Sequence, residues 1–278
     1  MKFNVVVATH HKTGTVWMDG VFKAIAGDLG ARFLNVRSEP IPFERLPGGR
    51  FVLFCHDSQF RERGDLLDRD DVRVLHVVRD PRDVVISATH YHKASRESWL
   101  HEPIPGYDNL TYQQSLRRLP TLHAQYVFEM EHSSATTLRD MASWRYGRAN
   151  CFEARYEDLR RDSRLACWRR ITTFLGFDGV EQDVANEHFW QNSLFGGLSR
   201  LGNRHIRSGA VAQWREEFTP ELAQEFLKRF PGVLRALGYE SGNTWVRELP
   251  TRSEDRPIAS LRYATRSLLA HACAMRRT

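Results

Sequence analysis

The feature that most constrains the fold is a short apolar run near the N-terminus that breaks into a polar loop and resumes as a helical pattern. Residues Val5 to Ala8 are apolar and mostly β-branched valine, which is typical of a buried strand. Residues Trp17 to Ala26 suit a helix. A strand, a tight loop and a helix in this order direct backbone amides at an anion. The loop is therefore predicted to bind a phosphate.

The side chains of this loop suit the same ligand. Gly14 lets the backbone approach a ligand closely, and Lys12 brings a mobile positive charge. Thr13 and Thr15 add hydroxyl donors. The loop differs from the ATP and GTP loop Gly-x-x-x-x-Gly-Lys-Ser/Thr, because Lys12 precedes Gly14 and no earlier glycine is present.

Later segments alternate between strand and helix patterns. This alternation predicts an α/β fold with a central parallel β-sheet flanked by helices on both faces. The predicted strands after the first are Ala31–Val36, Phe51–Cys55, Val72–Val78 and Asn150–Tyr156. The predicted helices run from Pro81 to about Lys93, from about Tyr112 towards Tyr146 in one or two pieces, over Arg164–Leu175 and Glu181–Trp190, and onwards from Pro220.

Length and composition suit one large domain with an appendage. The 278 residues are 41% hydrophobic and 27% charged, which is ordinary for a globular chain. We predict a main domain over residues 1–249 and an arginine-rich tail over residues 250–278. The tail contains a candidate amphipathic helix, Ile258–Met275, and is a candidate for surface docking or for peripheral membrane contact.

Charge and cysteine usage narrow the partners and the compartment. The net charge of +6 is compatible with anionic ligands, and no nucleic-acid-binding signature is present, so no nucleic-acid partner is predicted. The four cysteines are scattered and indicate neither a disulfide framework nor a zinc site. The N-terminus shows no basic-then-apolar leader, and no apolar run reaches the length of a membrane span. We expect a cytoplasmic protein.

Four segments in order resemble the sulfotransferases that use PAPS (3′-phosphoadenosine 5′-phosphosulfate). Lys12–Trp17 resembles their 5′-phosphosulfate loop, and Arg79–Ser87 resembles their 3′-phosphate motif of an arginine with a serine eight residues later. Tyr156–Asp158 resembles the segment whose tyrosine contacts the adenine. Arg207–Arg215 resembles the late loop that closes over the nucleotide.

The resemblance implies a P-loop-like nucleotide-binding fold, PAPS as the sulfuryl donor and PAP (the desulfated nucleotide) as a product. It also implies that Lys12 stabilises the bridging oxygen of the 5′-phosphate and that Trp17 packs against the adenine, although a core tryptophan on the first helix is the alternative. The implied cofactor contacts are Thr13, Gly14, Thr15, Val16, Trp17, Arg79, Ser87, Tyr156, Arg207, Ser208 and Gly209.

The chain departs from the family pattern at three positions. His11 stands where proline often precedes the lysine, and Val16 stands where a second threonine is common. Ser208 replaces a lysine of the late loop, which removes one positive charge. We expect these changes to tune the affinity for the cofactor.

The general base has three candidates. His56 ends a buried strand, where open α/β sheets place ligand chemistry, and a free histidine titrates near neutrality. It also matches a histidine that many cytosolic relatives carry after their third strand. Carbohydrate-type relatives use a glutamate shortly after the first helix, and Glu39 and Glu44 occupy that region.

The sequence predicts no metal and leaves the acceptor open. His90 and His92 are two residues apart on a predicted helix and do not share a face, and His10 and His11 complete no ligand set. The acceptor is a small molecule or a glycan, with a sugar hydroxyl, a phenol, a peptide tyrosine or an amine all open. A P-loop small-molecule kinase and a non-catalytic adenine-nucleotide-binding module are the alternative functions. The sequence does not indicate an oligomeric state.

Overall fold

A computed structural model of the chain describes residues 1–36, 48–58, 64–104, 108–200 and 209–250. These residues contain a five-stranded sheet in the order β2-β3-β1-β4-β5. Every pairing in it is parallel. The strands are β1 Asn4–Thr9, β2 Arg32–Val36, β3 Phe51–Cys55, β4 Val72–Val78 and β5 Cys151–Arg155.

Helices connect the strands and follow the last of them. The α-helices are α1 Thr15–Asp28, α2 Gly64–Leu67, α3 Pro81–Ala94, α4 Tyr112–Arg118, α5 Leu122–Glu131, α6 Ser133–Ser143, α7 Tyr156–Arg161, α8 Ala166–Phe174, α9 Gly179–Gln191, α10 Trp214–Glu217, α11 Pro220–Arg229 and α12 Val233–Ala236. Short 3₁₀ helices cover Ser98–His101, Gly197–Arg200 and Thr244–Glu248.

The two faces of the sheet pack into different apolar clusters. On β1, Val5 and Val7 join a cluster that includes residues of α1, α8 and α9. Val6 and Ala8 join a second cluster that includes residues of β3, β4 and α2. Successive side chains of a strand point to opposite faces, so a strand covered on both sides is apolar throughout. This accounts for the continuous apolar runs in the sequence.

The order of the strands places a switch point at the carboxyl ends of β1 and β4. From β1 the chain passes to β2 on one side, whereas β4 and β5 lie on the other side of β1. The loops that follow β1 and β4 therefore diverge and leave a crevice between them. Open parallel sheets bind their ligands in such a crevice.

The predicted strands and the predicted α/β class are confirmed, with local differences. The helical stretch predicted from about Tyr112 is three helices, because Thr121 caps a new helix directly after Pro120 and His132 interrupts the next. Tyr156, predicted to end the last strand, begins α7. The tail after Pro250 lies outside the described residues. Among the residues that are described, no helix combines the length and the apolar character that a membrane span needs.

Candidate functional site

The loop between β1 and α1 is closed by hydrogen bonds to one carbonyl group. The His10 carbonyl oxygen accepts from the Thr13 amide (3.2 Å), from the Thr13 hydroxyl (2.9 Å) and from the Thr15 hydroxyl (2.9 Å). Lys12 has φ 64° and Gly14 has φ 99°, both in the left-handed region. Helix α1 begins immediately after Gly14, so its first amides have no acceptor within the helix.

The Thr13 and Thr15 hydroxyls make their hydrogen bonds within the loop itself. Thr13 is fully buried, and its hydroxyl also accepts from the His10 amide at 3.0 Å. These bonds satisfy the backbone of His10 at the end of a buried strand, which would otherwise lack partners. The Thr13 and Thr15 hydroxyls therefore close the loop here, and their contact with a phosphate stays a prediction. Val16, where a second threonine is common in the family, is 75% exposed.

Tyr156 is the point at which the predicted cofactor residues meet. Its ring lies edge-on to Trp17, with 6.2 Å between the ring centroids, and the Arg79 guanidinium lies 4.5 Å from its centroid. Its hydroxyl donates to the Gly209 carbonyl oxygen at 3.3 Å. A Cβ atom at Gly14 would lie 3.0 Å from Tyr156 Cδ2, so this ring and the positive φ both favour glycine there.

The surroundings of Tyr156 keep its hydroxyl protonated. Burial raises the pKa of Tyr156, while the positive charges of Arg79 and Arg160 oppose the shift. The hydroxyl is therefore a hydrogen-bond donor. Arg160 also donates to the Gly209 carbonyl oxygen, at 2.9 Å, so two side chains hold the described start of the late loop.

Arg79 joins the first loop to the late loop. Its Nη1 donates to the Lys12 carbonyl oxygen and its Nη2 to the Ala210 carbonyl oxygen, both at 3.1 Å. The side chain is buried, and its Nε has no hydrogen-bond partner among the described residues. A buried donor without a partner is costly, and a bound anion would satisfy it.

Asp83 lies one helical turn beyond Arg79. Its Oδ2 is 3.9 Å from Arg79 Nη2, and its Oδ1 accepts from the Trp214 amide at 3.1 Å. Burial raises the pKa of Asp83 to about 6, with Arg79 opposing the shift and Asp80 reinforcing it. Ser87 lies half-buried further along α3.

Lys12 and Trp17 face different neighbours. Lys12 Nζ lies 3.7 Å from the ring centroid of Tyr91 on α3. Trp17 stacks on Phe189 of α9 at 5.1 Å and packs against the core cluster of α1, while its Nε1 is buried with no partner among the described residues. The Trp17 side chain thus has a core contact and a polar atom left to satisfy.

His56 follows β3 and is buried against α1. Its Nε2 lies 3.6 Å from Asp19 Oδ1, beyond hydrogen-bond distance, and has no hydrogen-bond partner among the described residues. Asp19 also accepts from the Asn35 amide at 2.6 Å. The rival bases Glu39 and Glu44, and the late-loop residues Arg207 and Ser208, lie outside the described residues.

Two rows of buried polar side chains, which the sequence analysis did not find, support the first loop. Each row contains two histidines whose Nε2 atoms face each other and a glutamate at one end. The buried row is Ser58, His10, His76 and Glu153. The cleft row is Asp57, His11, His92 and Glu129. The one available signal was the pair of histidines immediately before Lys12, where relatives often have proline.

Within the ranges that the structure covers, no group of three or more histidine, cysteine, aspartate or glutamate side chains is arranged to hold a metal ion. The two histidine rows join neighbouring side chains by hydrogen bonds.

The site is a crevice at the strand switch point of a parallel α/β protein, and comparison with known proteins defines the family. The model of the sulfotransferase domain family matches residues 64–238, more than half of the chain. The chain belongs to this family. It is therefore a sulfotransferase, an enzyme that transfers a sulfuryl group to an acceptor.

Individual relatives are distant. The chain is 22% identical over 259 residues to the amine sulfotransferase of Oryctolagus cuniculus, a match that covers 82% of this chain and 79% of that protein. Its fold is similar to the crystal structure of mouse sulfotransferase SULT7A1 complexed with PAP, with a TM-score of 0.56 and 18% identity. That match covers 89% of this chain and 88% of the other. It confirms the predicted fold class.

Proposed function

We propose that the chain transfers the sulfuryl group of PAPS and that the crevice between the loops after β1 and β4 binds the nucleotide. The observation that carries the proposal is the convergence of Lys12, Arg79 and Tyr156. The Lys12 carbonyl oxygen accepts from Arg79, and the Arg79 guanidinium packs on Tyr156. The unpartnered Arg79 Nε and Trp17 Nε1 fit a ligand that carries acceptor atoms. The PAP in the similar mouse sulfotransferase structure supports the choice of nucleotide.

Each part of the crevice has a role in this proposal. The amides of Gly14 and Thr15, at the start of α1, bind the 5′-phosphate, with Thr13 closing the loop behind them. Arg79 and Ser87 bind the 3′-phosphate together with the late loop of Arg207, Ser208 and Gly209. Trp17 and Tyr156 hold the adenine.

When bound, PAPS supplies the sulfuryl group, whose transfer leaves negative charge on the bridging oxygen of the 5′-phosphate. Lys12 is placed in the loop to stabilise that charge with its ammonium group. No group of the protein has to form a covalent bond. The protein positions the two reactants and stabilises charge, as in phosphoryl transfer. We propose that no metal takes part.

His56 is the proposed proton acceptor. It follows the end of β3, the strand next to β1, and Asp19 Oδ1 lies 3.6 Å from its Nε2. A hydroxyl acceptor is a weak nucleophile, so removal of its proton accelerates attack. Glu39 and Glu44 remain the alternatives.

The acceptor, the compartment and the tail complete the proposal. We propose a small-molecule or glycan acceptor that presents a hydroxyl or an amine, and the amine sulfotransferase relative supports testing amines first. The described cysteines Cys55, Cys151 and Cys167 are all free, which supports a reducing cytoplasm. Residues 250–278 remain a candidate for peripheral membrane contact.

Ligand binding tests the nucleotide. In a thermal-shift panel, we expect PAP without metal to raise the melting temperature, because a ligand that binds only the folded state stabilises it. Stabilisation by Mg-ATP alone would indicate a kinase and contradict the proposal. Arg79→Ala should weaken PAP binding by about 1.5–3 kcal/mol, the range for a charged hydrogen bond. Arg145→Ala, which removes an exposed partner of Asp68, is the matched control.

Turnover tests the chemistry. With labelled PAPS and a panel of amines, phenols and sugars, Lys12→Ala should nearly abolish transfer to any accepted acceptor. His56→Ala should lower the rate by about 10²–10⁴-fold, as expected when a general base is lost. Lys23→Ala, at an exposed position of α1, is the control. An unchanged rate in His56→Ala would assign the base to Glu39 or Glu44, and PAP binding without any transfer would indicate a binding module.

A further inference from the structure

The cleft row connects the first loop to the buried carboxylate of Glu129. This carboxylate accepts from Tyr112 Oη (3.0 Å), from Ser134 Oγ (3.1 Å) and from His92 Nδ1 (2.9 Å). His92 and Glu129 are both completely buried. The other ring nitrogen of His92, Nε2, lies 3.0 Å from His11 Nε2.

The protons of the row can be assigned from its partners. Burial lowers the pKa of His92, with Glu129 opposing the shift, so the ring is neutral and carries one proton. That proton lies on Nδ1, because Glu129 can only accept. His92 Nε2 is then an acceptor, and His11 Nε2 is its donor. The buried pair therefore fixes the proton of neutral His11 on Nε2 and leaves Nδ1 facing Asp57.

The other end of the row, at Asp57, is exposed to solvent. His11 Nδ1 lies 3.4 Å from Asp57 Oδ1, with the Asp57 side chain 55% exposed and the His11 side chain 17% exposed. Burial acts to raise the pKa of Asp57, but the hydrogen bond and charge of His11, followed by the charges of His56 and Lys12, lower it overall. Asp57 is thus a carboxylate and accepts only, so its contact with Nδ1 is complete when His11 carries a second proton.

We propose that His11 is a proton-linked cation of the phosphate loop, positioned by His92 and Glu129, whose protonated form helps to bind the anionic phosphosulfate end of the nucleotide. The inference rests on the proposed binding of PAPS. His11 is next to Lys12 in the chain, and the Tyr91 ring contacts both side chains. An anion beside His11 favours its protonated form, so binding of the nucleotide takes up a proton.

The charged and titratable groups that surround His11 among the described residues enter this linkage. Lys12, on the same loop, disfavours the added proton, whereas Asp57 after β3 favours it. On α3, Tyr91 lies edge-on to the His11 ring, and His92 stacks on it with Glu129 of α5 behind. His56 acts on the row through its charge on Asp57.

Calorimetric titration of PAP into the full chain tests the proposal. The proton uptake is obtained by comparing two buffers of different ionisation enthalpy, and it needs no turnover. We expect the wild type to take up more protons than His11→Gln, with a difference of up to one proton near pH 7. The phosphates of free PAP titrate identically in both experiments, so the difference in uptake arises in the two bound complexes. Between pH 6 and 8 the wild-type affinity should fall more steeply than that of His11→Gln, by up to about tenfold per pH unit.

Variants of His92 separate positioning from simple packing. His92→Gln keeps an amide that can donate to Glu129 and accept from His11, so we expect the proton uptake to be retained. His92→Leu removes both bonds and should lose it. His90→Gln, on the same helix but outside the row, is the control and should match the wild type. The thermal melting of each variant reports whether it is folded.

Three outcomes decide the matter. A proton uptake that is equal in wild type and His11→Gln overturns the proposal while PAP binding stands. Loss of uptake in His90→Gln to the same extent as in His11→Gln also overturns it. An absence of PAP binding in the wild type overturns both this inference and the proposed function.

Discussion

The two histidine rows that contact the first loop have the same arrangement and different ends. In each, a glutamate contacts the Nδ1 atom of one histidine, two Nε2 atoms face each other, and the Nδ1 atom of the second histidine faces a residue that follows β3. The facing Nε2 atoms are 2.8 Å apart in the buried row and 3.0 Å apart in the cleft row. The second histidines are consecutive residues, His10 and His11.

The terminal residues decide what each row can do. Ser58 ends the buried row at 2.7 Å from His10 Nδ1, and its hydroxyl can donate, so the row is satisfied with neutral rings. Asp57 ends the cleft row, where a carboxylate can only accept. In our proposal one row is therefore a fixed support for the loop, whereas the other takes up a proton when the nucleotide binds. This difference between the rows comes from the side chains of two consecutive residues, Asp57 and Ser58.

The largest expected effect comes from removing the centre of the buried row. His76→Leu leaves His10 Nε2 and Glu153 Oε2 without their imidazole partner, and each loss costs about 1–3 kcal/mol. We expect the free energy of unfolding to fall by about 2–4 kcal/mol in urea titrations. His101→Leu, at an exposed position, should stay within about 0.5 kcal/mol. Equal stabilities would show that the buried row does not support the fold.

Replacing the terminal hydroxyl of the buried row by a carboxylate, as in the cleft row, should also destabilise the protein. Ser58 has φ 67°, which aspartate tolerates, so Ser58→Asp places a carboxylate beside His10 without backbone strain. The buried contact then requires an extra proton, and we expect a loss of about 1–3 kcal/mol at pH 8. The folded state would bind that proton, so the loss should be smaller at pH 6. A loss that does not vary with pH would contradict the assignment of the row.

Both rows should make the wild type sensitive to acid. Burial lowers the pKa of His76 and of His92 from 6.5, with Glu153 and Glu129 opposing the shifts. The unfolded state then binds more protons below about pH 6.5, so stability falls as the pH falls through that value. Urea midpoints at pH 7.5, 6.5 and 5.5 measure the slope. The urea midpoint of His92→Gln should depend less steeply on pH. A dependence equal to that of the wild type would show that His92 does not contribute to the acid sensitivity.

The smallest change in stability is expected when the terminal carboxylate of the cleft row is replaced by a neutral amide. Asp57→Asn replaces the carboxylate by an amide that can donate to His11 Nδ1, as the Ser58 hydroxyl does for His10. At this exposed position we expect a change in stability within about 0.5 kcal/mol. The proton uptake on PAP binding should nevertheless fall to the level of His11→Gln. Proton uptake at the wild-type level would show that the Asp57 carboxylate does not stabilise the added proton on His11.

Much of the candidate site was predictable because its signals are local. The strand, the left-handed glycine and the helix start are encoded within residues 5–17, and Arg79 follows directly from a recognisable strand. The bonds of the Thr13 and Thr15 hydroxyls to the His10 carbonyl were not predicted, since they depend on how the loop closes. The site roles of Lys12, His56, Arg79 and Ser87 remain predictions.

The histidine rows were not predictable, although all their members are visible in the sequence. His10 and His76 are 66 residues apart, and His11 and His92 are 81 residues apart. Their contacts exist because β1 lies between β3 and β4, which brings the residues after these strands to one edge of the sheet. Sequence spacing carries no information on that order.

By itself, the sequence determined the α/β class, the strand, loop and helix at the N-terminus, and the family, because apolar periodicity, glycine and short ordered motifs act over a few residues. The tertiary structure alone decided which polar side chains share protons. Hydrogen-bond partners in a parallel sheet come from strands that are adjacent in space and distant along the chain. Whether the last side chain of a row is a hydroxyl or a carboxylate matters only because the fold places it against a histidine nitrogen.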